Sequence, residues 1–140
     1  MQSMNSIVTV SSVEETWELA KKLAAILKPG DVVCLEGDLG AGKTTFTQGL
    51  AAAMGVKGAV TSPTFCIVQE HLPLVHMDLY RLTSENDVLD LGWDDYLAAG
   101  AIMVIEWPER AGSLIPKNAH HLVFKHDEGD EKKRKIHIDF

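Results

Sequence analysis

The chain has 140 residues, of which 46% are hydrophobic and 24% charged, and its formal net charge is −7. This length and composition predict one globular domain, residues 1–140, with its own hydrophobic core. The acidic balance argues against tight nucleic-acid binding by this chain alone, while a local basic patch, or contact with RNA through a partner, stays open.

No basic segment followed by a long apolar run opens the sequence, and no apolar stretch has the length of a membrane span. We therefore expect neither a secretion signal nor membrane insertion. The two cysteines, Cys34 and Cys66, lie far apart, each in an apolar run. This placement predicts two buried thiols rather than a disulfide or metal pair, and with them a reducing cytoplasm.

The N-terminal part of the chain predicts a strand followed by a helix. Residues 7–10 form a short apolar, β-branched run, and Ser11 or Ser12 is a candidate helix N-cap. Pro29 and Gly30 end the helix. Its predicted apolar stripe has helical spacing and consists of Trp17, Ala20, Leu23, Ala24 and Leu27.

A phosphate-binding motif follows, between a predicted buried strand at 32–35 and a predicted helix at 43–54. Residues 37–44, GDLGAGKT, match G-x-x-x-x-G-K-[ST], the P-loop pattern. Glycines let consecutive N–H groups turn toward phosphate oxygens, Lys43 supplies a positive charge, and the Thr44 hydroxyl suits a phosphate-bound Mg²⁺. The predicted nucleotide-binding residues here are Gly37, Asp38, Leu39, Gly40, Ala41, Gly42, Lys43, Thr44 and Thr45.

The middle of the chain predicts a polar loop, two strands and two helices. The loop contains Thr61, Ser62, Pro63 and Thr64, and either senses the γ-phosphate of a nucleotide or is a plain capped turn. Strands are expected at 65–70 and 74–78, separated by Leu72-Pro73, and helices at 84–91 and 94–99.

The last part predicts a buried strand at 101–105 and an antiparallel hairpin of residues 121–125 and 136–140. The basic run 132–135 then falls in the solvated turn of that hairpin. The element order predicts an α/β fold, a small P-loop NTPase domain with a mixed parallel and antiparallel sheet flanked by helices.

Two acids follow predicted strands and are candidates to complete the site. Asp78 ends the strand at 74–78, and Glu106 follows the uninterrupted apolar run at 101–105, which favours Glu106 as the metal-side acid. Trp107 is either a core ring or a stacking surface near the nucleotide. Asp38 either orients water or caps the loop. The six histidines show no metal-ligand spacing.

Five blocks of this sequence resemble, in order and spacing, the TsaE (YjeE) family, bacterial ATPases of tRNA threonylcarbamoyladenosine biosynthesis. The blocks are GDLGAGKTT at 37–45, SPTF at 62–65, HMDLYRL at 76–82, LGWDDYL at 91–97 and IEWPER at 105–110. The resemblance implies Mg²⁺-dependent ATP hydrolysis to ADP, weak alone, in a cycle that supports TsaB- and TsaD-like partners. That complex attaches threonylcarbamoyl to adenosine 37 of tRNAs that read ANN codons, with tRNA contacting this chain indirectly if at all.

The same resemblance assigns expected roles to matching residues. Lys43 and Thr44 would hold phosphate and Mg²⁺, and Glu106 is similar to the family's second Mg²⁺ ligand. Asp78 is similar to its strand-end catalytic acid, and Trp107 to its aromatic residue near the nucleotide.

The resemblance also extends to three peripheral segments. Residues 61–64 resemble the family's switch loop. Residues 12–16 and Arg134 would contact the nucleotide, by a looser alignment.

Three other functions also use a P-loop or a nucleotide switch. A small-molecule kinase would bring several arginines in a mobile lid, whereas Arg81, Arg110 and Arg134 are scattered. A GTPase would carry N-K-x-D and D-x-x-G, and neither occurs. The third alternative is an interaction module whose partner affinity switches with the bound nucleotide and whose own hydrolysis is slight.

Overall fold

Seven strands form one sheet within residues 5–37, 42–57, 67–127 and 129–140, the part of the chain that the computed structural model describes. Four α-helices occur in the same ranges. The strands are β1 (Asn5–Val10), β2 (Val32–Gly37), β3 (Val68–His71), β4 (Leu74–Asp78), β5 (Ile102–Glu106), β6 (His120–Asp127) and β7 (Asp130–Asp139). The helices are α1 (Val13–Ala24), α2 (Lys43–Ala53), α3 (Glu85–Leu89) and α4 (Trp93–Ala98), with 3-10 turns at Pro108–Arg110 and Gly112–Leu114.

The sheet is mixed, as predicted, with strand order β1-β7-β6-β2-β5-β4-β3. Strand β2 lies between β5 and β6 and runs parallel to both, and β4 runs parallel to β5. The outer pairs β1–β7, β6–β7 and β3–β4 are antiparallel. Because β2, β5 and β4 are parallel neighbours, their carboxyl ends meet at one edge of the sheet, where parallel sheets characteristically bind ligands.

The central strands read as continuous apolar runs because both faces of the sheet are covered. In β2, Val33 and Leu35 pack in a cluster with residues of α1 and α2, whereas Val32 and Cys34 pack in a second cluster that includes Val88 and Trp93 of α3 and α4. The buried thiol predicted at Cys34 is confirmed, and Cys66 lies outside the described residues.

The N-terminal helix follows the prediction at its start and departs from it in its buried stripe. Ser12 is the N-cap, and its hydroxyl accepts a hydrogen bond from the Glu15 N–H at 3.1 Å. Trp17, predicted to be core, is 44% exposed, whereas Leu19 is buried. Helices α1 and α2 pack closely at this point, since a Cβ built at Gly49 of α2 would lie 2.8 Å from Trp17 Cδ1. One edge of the Trp17 ring therefore contacts α2, and the outer part of the ring is in solvent.

The hairpin near the C-terminus is longer than predicted. Strand β7 begins at Asp130, so the placement of the basic run 132–135 in a turn is wrong. Lys125 and Lys135 are directly opposite each other in the ladder and exposed, while Phe124 and Ile136 face the core. Antiparallel strands commonly have one buried and one exposed face, so alternating buried and exposed residues are compatible with a strand. The hydrogen-bonded pairing of β6 with β7 therefore includes the basic residues.

The remaining predicted elements agree within a few residues. Strand β3 begins at Val68, and the earlier part of the strand predicted at 65–70 includes Phe65 and Cys66, outside the described residues. Helix α3 is capped by the Ser84 hydroxyl, which accepts from Asp87 N–H at 3.2 Å. The described part of the chain contains no helix that is long and apolar enough to cross a membrane.

Candidate active site

Gly37 joins the end of β2 to the P-loop, and its position admits glycine alone. Its φ is +136°, a conformation that residues with a side chain rarely adopt. A Cβ at Gly37 would lie 2.0 Å from the carbonyl oxygen of Phe124, its partner in β6. The first glycine of the motif is therefore required by close packing of β2 against β6 as well as by its backbone angle.

Helix α2 begins at the other end of the motif with an open N-terminus. Its N-cap is Gly42, at φ +106°, which has no side chain to accept a hydrogen bond, and its first turn carries no acidic residue. Helices α1 and α3, in contrast, are capped by serine hydroxyls. The first-turn N–H groups of α2 have no acceptor within the helix. These N–H groups and the positive end of the helix dipole favour binding of an anion.

The Lys43 side chain points back toward the end of β2. Its Nζ donates to the Gly37 carbonyl oxygen at 3.0 Å and lies 3.8 Å from Glu106 Oε1. Thr44 and Thr45 follow in the first turn of α2 and are partly exposed. The ammonium group and the open helix terminus thus face the same edge of the sheet.

Glu106 ends β5, the strand between β2 and β4, with Leu35 and Asp78 as its register partners on the two sides. It is 7% exposed. Its Oε2 is 2.6 Å from Nε2 of His76, and its Oε1 faces Lys43. A buried carboxylate needs charge-assisted partners, and Glu106 has two different ones.

Asp78 ends β4 beside Glu106 and is less buried. Its Oδ1 accepts a hydrogen bond from Tyr80 N–H at 3.0 Å. Burial raises the pKa of the Asp78 carboxyl above its usual range, against the lowering effect of the Tyr80 hydrogen bond, and the charge of Glu106 raises it further. A carboxylate with a raised pKa is a stronger base, closer to the range in which proton transfer is useful at neutral pH.

Trp107 follows Glu106 in a left-handed conformation, with φ +59°. It is 38% exposed, so the alternative of a core ring is wrong. Its ring centroid is 5.0 Å from that of Tyr80, and the Arg110 guanidinium lies 5.9 Å from its centre. The ring forms one wall of a cleft of about 330 Å³, lined by Leu35, Glu36, Gly37, Lys43, Trp107 and Glu109.

Comparisons with known proteins bear on the family of this chain. The family model of the threonylcarbamoyl adenosine biosynthesis protein TsaE matches residues 10–136. The chain belongs to the TsaE family.

Individual relatives support that assignment over most of their length. The tRNA threonylcarbamoyladenosine biosynthesis protein TsaE of Bacillus subtilis is 46% identical over 123 residues, which cover 85% of this chain and 77% of the relative. That of Aquifex aeolicus is 39% identical over 137 residues, covering 94% and 93%. The crystal structure of YdiB from Bacillus subtilis superposes with a TM-score of 0.80 at 36% identity, covering 99% of this chain and 87% of that one.

In this TsaE-family chain, the structure brings together the P-loop residues that it describes and the two strand-end acids. Asp38, Leu39, Gly40 and Ala41, and the predicted switch loop Thr61, Ser62, Pro63 and Thr64, lie outside the described residues.

The two peripheral predictions fall in strand β7 and at the start of helix α1. Arg134 lies in β7 opposite Val10 and His126, and its Nη1 donates to the Lys133 carbonyl oxygen at 3.0 Å. In the segment 12–16, Ser12 caps α1 and the Thr16 hydroxyl donates to the Ser12 carbonyl oxygen at 3.2 Å. Among their contacts are a bond from Arg134 to the backbone of its own strand and capping bonds of Ser12 and Thr16 at the start of α1.

Sequence reasoning missed His76, Tyr80, Glu36 and Glu109 as neighbours of the site. Glu36 and Glu109 line the cleft, and Tyr80 contacts both Asp78 and Trp107. For His76 a signal was present, because a histidine inside an apolar strand, two residues before Asp78, faces the same side of the sheet as that acid.

The described donors fit a magnesium ion held partly by phosphate. No group of three or more His, Cys, Asp or Glu side chains in the described ranges forms a metal cage. A hydroxyl at Thr44 and a carboxylate at Glu106 are hard oxygen donors, and Mg²⁺ is commonly bound by one or two such groups together with substrate phosphates and water.

Proposed function

We propose that this chain is a magnesium-dependent ATPase that acts in threonylcarbamoyladenosine modification of tRNA. The observation that carries the proposal is the position of Lys43. Its ammonium group, at the start of a helix with an open N-terminus, contacts the P-loop backbone at Gly37 and faces the strand-end carboxylate Glu106. This combination of cation, free N–H groups and acid suits a nucleoside triphosphate with its metal.

Each residue has a distinct role in this proposal. The N–H groups of the P-loop and of the first turn of α2 bind phosphate oxygens, and Lys43 neutralises charge on the β- and γ-phosphates. Thr44 and Glu106 would hold Mg²⁺, which would supply positive charge against the negative charge that develops on the phosphates. Asp78 orients water for attack on the γ-phosphorus and accepts its proton as the bond to ADP breaks, yielding ADP and phosphate.

Trp107 would contribute binding rather than chemistry. Its partly exposed ring forms a wall of the cleft next to Lys43, so it offers a flat apolar surface to the nucleotide. A rigid aromatic wall restrains the ligand at little cost in side-chain entropy.

The proposed biological role is an ATPase cycle that supports TsaB- and TsaD-like partners during modification of adenosine 37 in the cytoplasm. Family membership supports this role, and the acidic net charge of −7 favours contact with tRNA through those partners. Hydrolysis is expected to be slow for the isolated chain and faster in the complex.

Reconstitution tests the proposal. ATP turnover and tRNA modification are measured with and without the partner pair, for the wild type, Lys43→Ala and the control Lys22→Ala, an exposed lysine of α1. We expect Lys43→Ala to abolish ATP binding and to stop modification, with the control unchanged. Normal turnover in Lys43→Ala would refute the phosphate site, and full modification without this chain would refute the pathway role.

The metal role is tested separately with Glu106→Gln. ATP affinity is measured in Mg²⁺ and in EDTA by displacement of a fluorescent nucleotide. We expect a loss of affinity in Mg²⁺ and little change in EDTA, because the neutral amide is a much poorer magnesium ligand. Equal losses in both conditions would show that Glu106 supports the fold and does not hold the metal.

A further inference from the structure

His76 is a buried histidine for which the proposed chemistry has no direct use. It lies in the middle of β4 and is 0% exposed. Its chain neighbours Val75 and Met77 pack on the opposite face of the sheet, in the second core cluster. An imidazole removed from water loses its hydration, so it persists in such a position only with a strong compensating contact.

That contact is a hydrogen bond with Glu106. His76 Nε2 lies 2.6 Å from Glu106 Oε2, across the parallel pair β4–β5. The other oxygen of the same carboxylate, Oε1, lies 3.8 Å from Lys43 Nζ. The two oxygens of Glu106 therefore face different partners, one toward the sheet interior and one toward the ammonium group of the P-loop.

The hydrogen-bonding pattern of the ring assigns its tautomer. A carboxylate only accepts hydrogen bonds, so His76 Nε2 carries the hydrogen and donates it. His76 Nδ1 is buried and has no hydrogen-bond partner among residues 5–37, 42–57, 67–127 and 129–140. In the Nε2–H tautomer Nδ1 carries no hydrogen, so no buried N–H of the ring is left without an acceptor.

We infer that His76 is a positioning residue for Glu106. Its Nε2–H donates to Oε2 and thereby keeps Oε1 directed at Lys43. This inference rests on the proposed function, in which Glu106 holds Mg²⁺. A free glutamate would sample several rotamers, and ordering it on binding would cost conformational entropy. Groups that orient a metal ligand in this way typically change metal affinity by about 10- to 100-fold when they are removed.

Three substitutions at His76 separate hydrogen bonding from packing. Gln places an amide N–H close to the position of the imidazole Nε2 and retains the donor. Asn is polar but shorter and does not reach Glu106. Leu fills the site without a donor. Leu74→Ala is the matched control, because Leu74 is a fully buried residue of the same strand in the cluster formed with α1 and α2.

The first measurement is the ratio of ATP dissociation constants in EDTA and in Mg²⁺. We expect His76→Leu and His76→Asn to reduce this ratio by about tenfold or more, and His76→Gln to restore most of it. Leu74→Ala should lower the unfolding midpoint and leave the ratio unchanged. If His76→Leu fails to fold, the Gln and Asn variants give the same comparison.

The second measurement uses the nucleotide-free protein. Nitrogen-15 chemical shifts of the His76 ring should report a protonated Nε2 and an unprotonated Nδ1, and the opposite tautomer would overturn the inference. A normal affinity ratio in both His76→Leu and His76→Asn would also overturn it, provided that Glu106→Gln lowers the ratio. A normal ratio in Glu106→Gln would instead refute the metal role of Glu106 in the proposed function.

Discussion

The sharpest test of the P-loop geometry compares two of its glycines. Gly37→Ala and Gly42→Ala both introduce a methyl group at a positive φ, +136° and +106°. At Gly42 no atom of the described residues lies within 4 Å of the new Cβ, so with respect to those residues the change costs only backbone strain. At Gly37 the new Cβ would lie 2.0 Å from the Phe124 carbonyl oxygen, which adds a steric clash to the same strain.

The magnitudes follow from the two costs. Strain at an unfavourable φ is worth about 1 to 3 kcal/mol at either position. The clash at Gly37 involves main chain, so β2 and β6 must separate locally by about 1 Å. That separation weakens one or two ladder hydrogen bonds, each worth roughly 0.5 to 1.5 kcal/mol. We expect Gly37→Ala to lose about 2 to 5 kcal/mol of unfolding free energy and Gly42→Ala about 1 to 3 kcal/mol.

Urea unfolding of the nucleotide-free variants measures both values, with the fluorescence of the buried Trp93 as the signal. A loss for Gly37→Ala that is no larger than that for Gly42→Ala would refute the close approach of β2 to Phe124. Nucleotide-free protein is essential, since bound ATP would stabilise the native state and mask the difference.

Three further predictions concern single side chains. Because the Trp107 ring lines the cleft, we expect ATP to change its fluorescence, so Trp107→Phe should remove that change and Trp17→Phe, which removes a ring of similar exposure in α1, should keep it. Ser12→Ala should lower the unfolding free energy in urea by about 1 kcal/mol, because the N-cap hydrogen bond to α1 is lost. In a Cys66→Ser background, stability should fall as pH rises above 9.0, because burial, assisted by the charge of Glu36, raises the pKa of the native Cys34 thiol to about 12 while the unfolded thiol ionises. Cys34→Val should lack that decline in urea titrations at pH 8 and pH 10, and a decline of the same size in that variant would refute the assignment.

Sequence pattern predicted the structure correctly wherever residues within a single helix, strand or turn determine it. The P-loop motif, the caps at Ser12 and Ser84, and the apolar runs of β2 and β5 depend on neighbours in sequence. Their physical causes, helix capping and burial of both strand faces, act over a few residues. These features were therefore readable before the structure was known.

The sequence predictions were wrong where packing or pairing with a second helix or strand determines burial or strand length. Helical spacing gave α1 an apolar stripe, but the position of α2 determines that Leu19 is buried and that Trp17 is partly exposed. The basic run near residue 133 has the composition of a turn, yet pairing with β6 continues the strand through it. The strand pattern places His76 on the side of Asp78, but its hydrogen-bond partner Glu106 is 30 residues away along the chain and depends on the pairing of β4 with β5.

The two acids illustrate how parallel pairing converts sequence candidates into distinct roles. On sequence alone Asp78 and Glu106 were both strand-end carboxylates, and register partnership places them side by side. Their surroundings then differ. Glu106 is buried between the Lys43 ammonium group and the His76 ring, which hold its two carboxylate oxygens in one orientation. Burial raises the pKa of the Asp78 carboxyl, whose Oδ1 accepts a hydrogen bond from Tyr80 N–H. A carboxylate held in one orientation beside the P-loop lysine suits the metal ligand that we propose at Glu106, and a carboxyl with a raised pKa suits the base that we propose at Asp78.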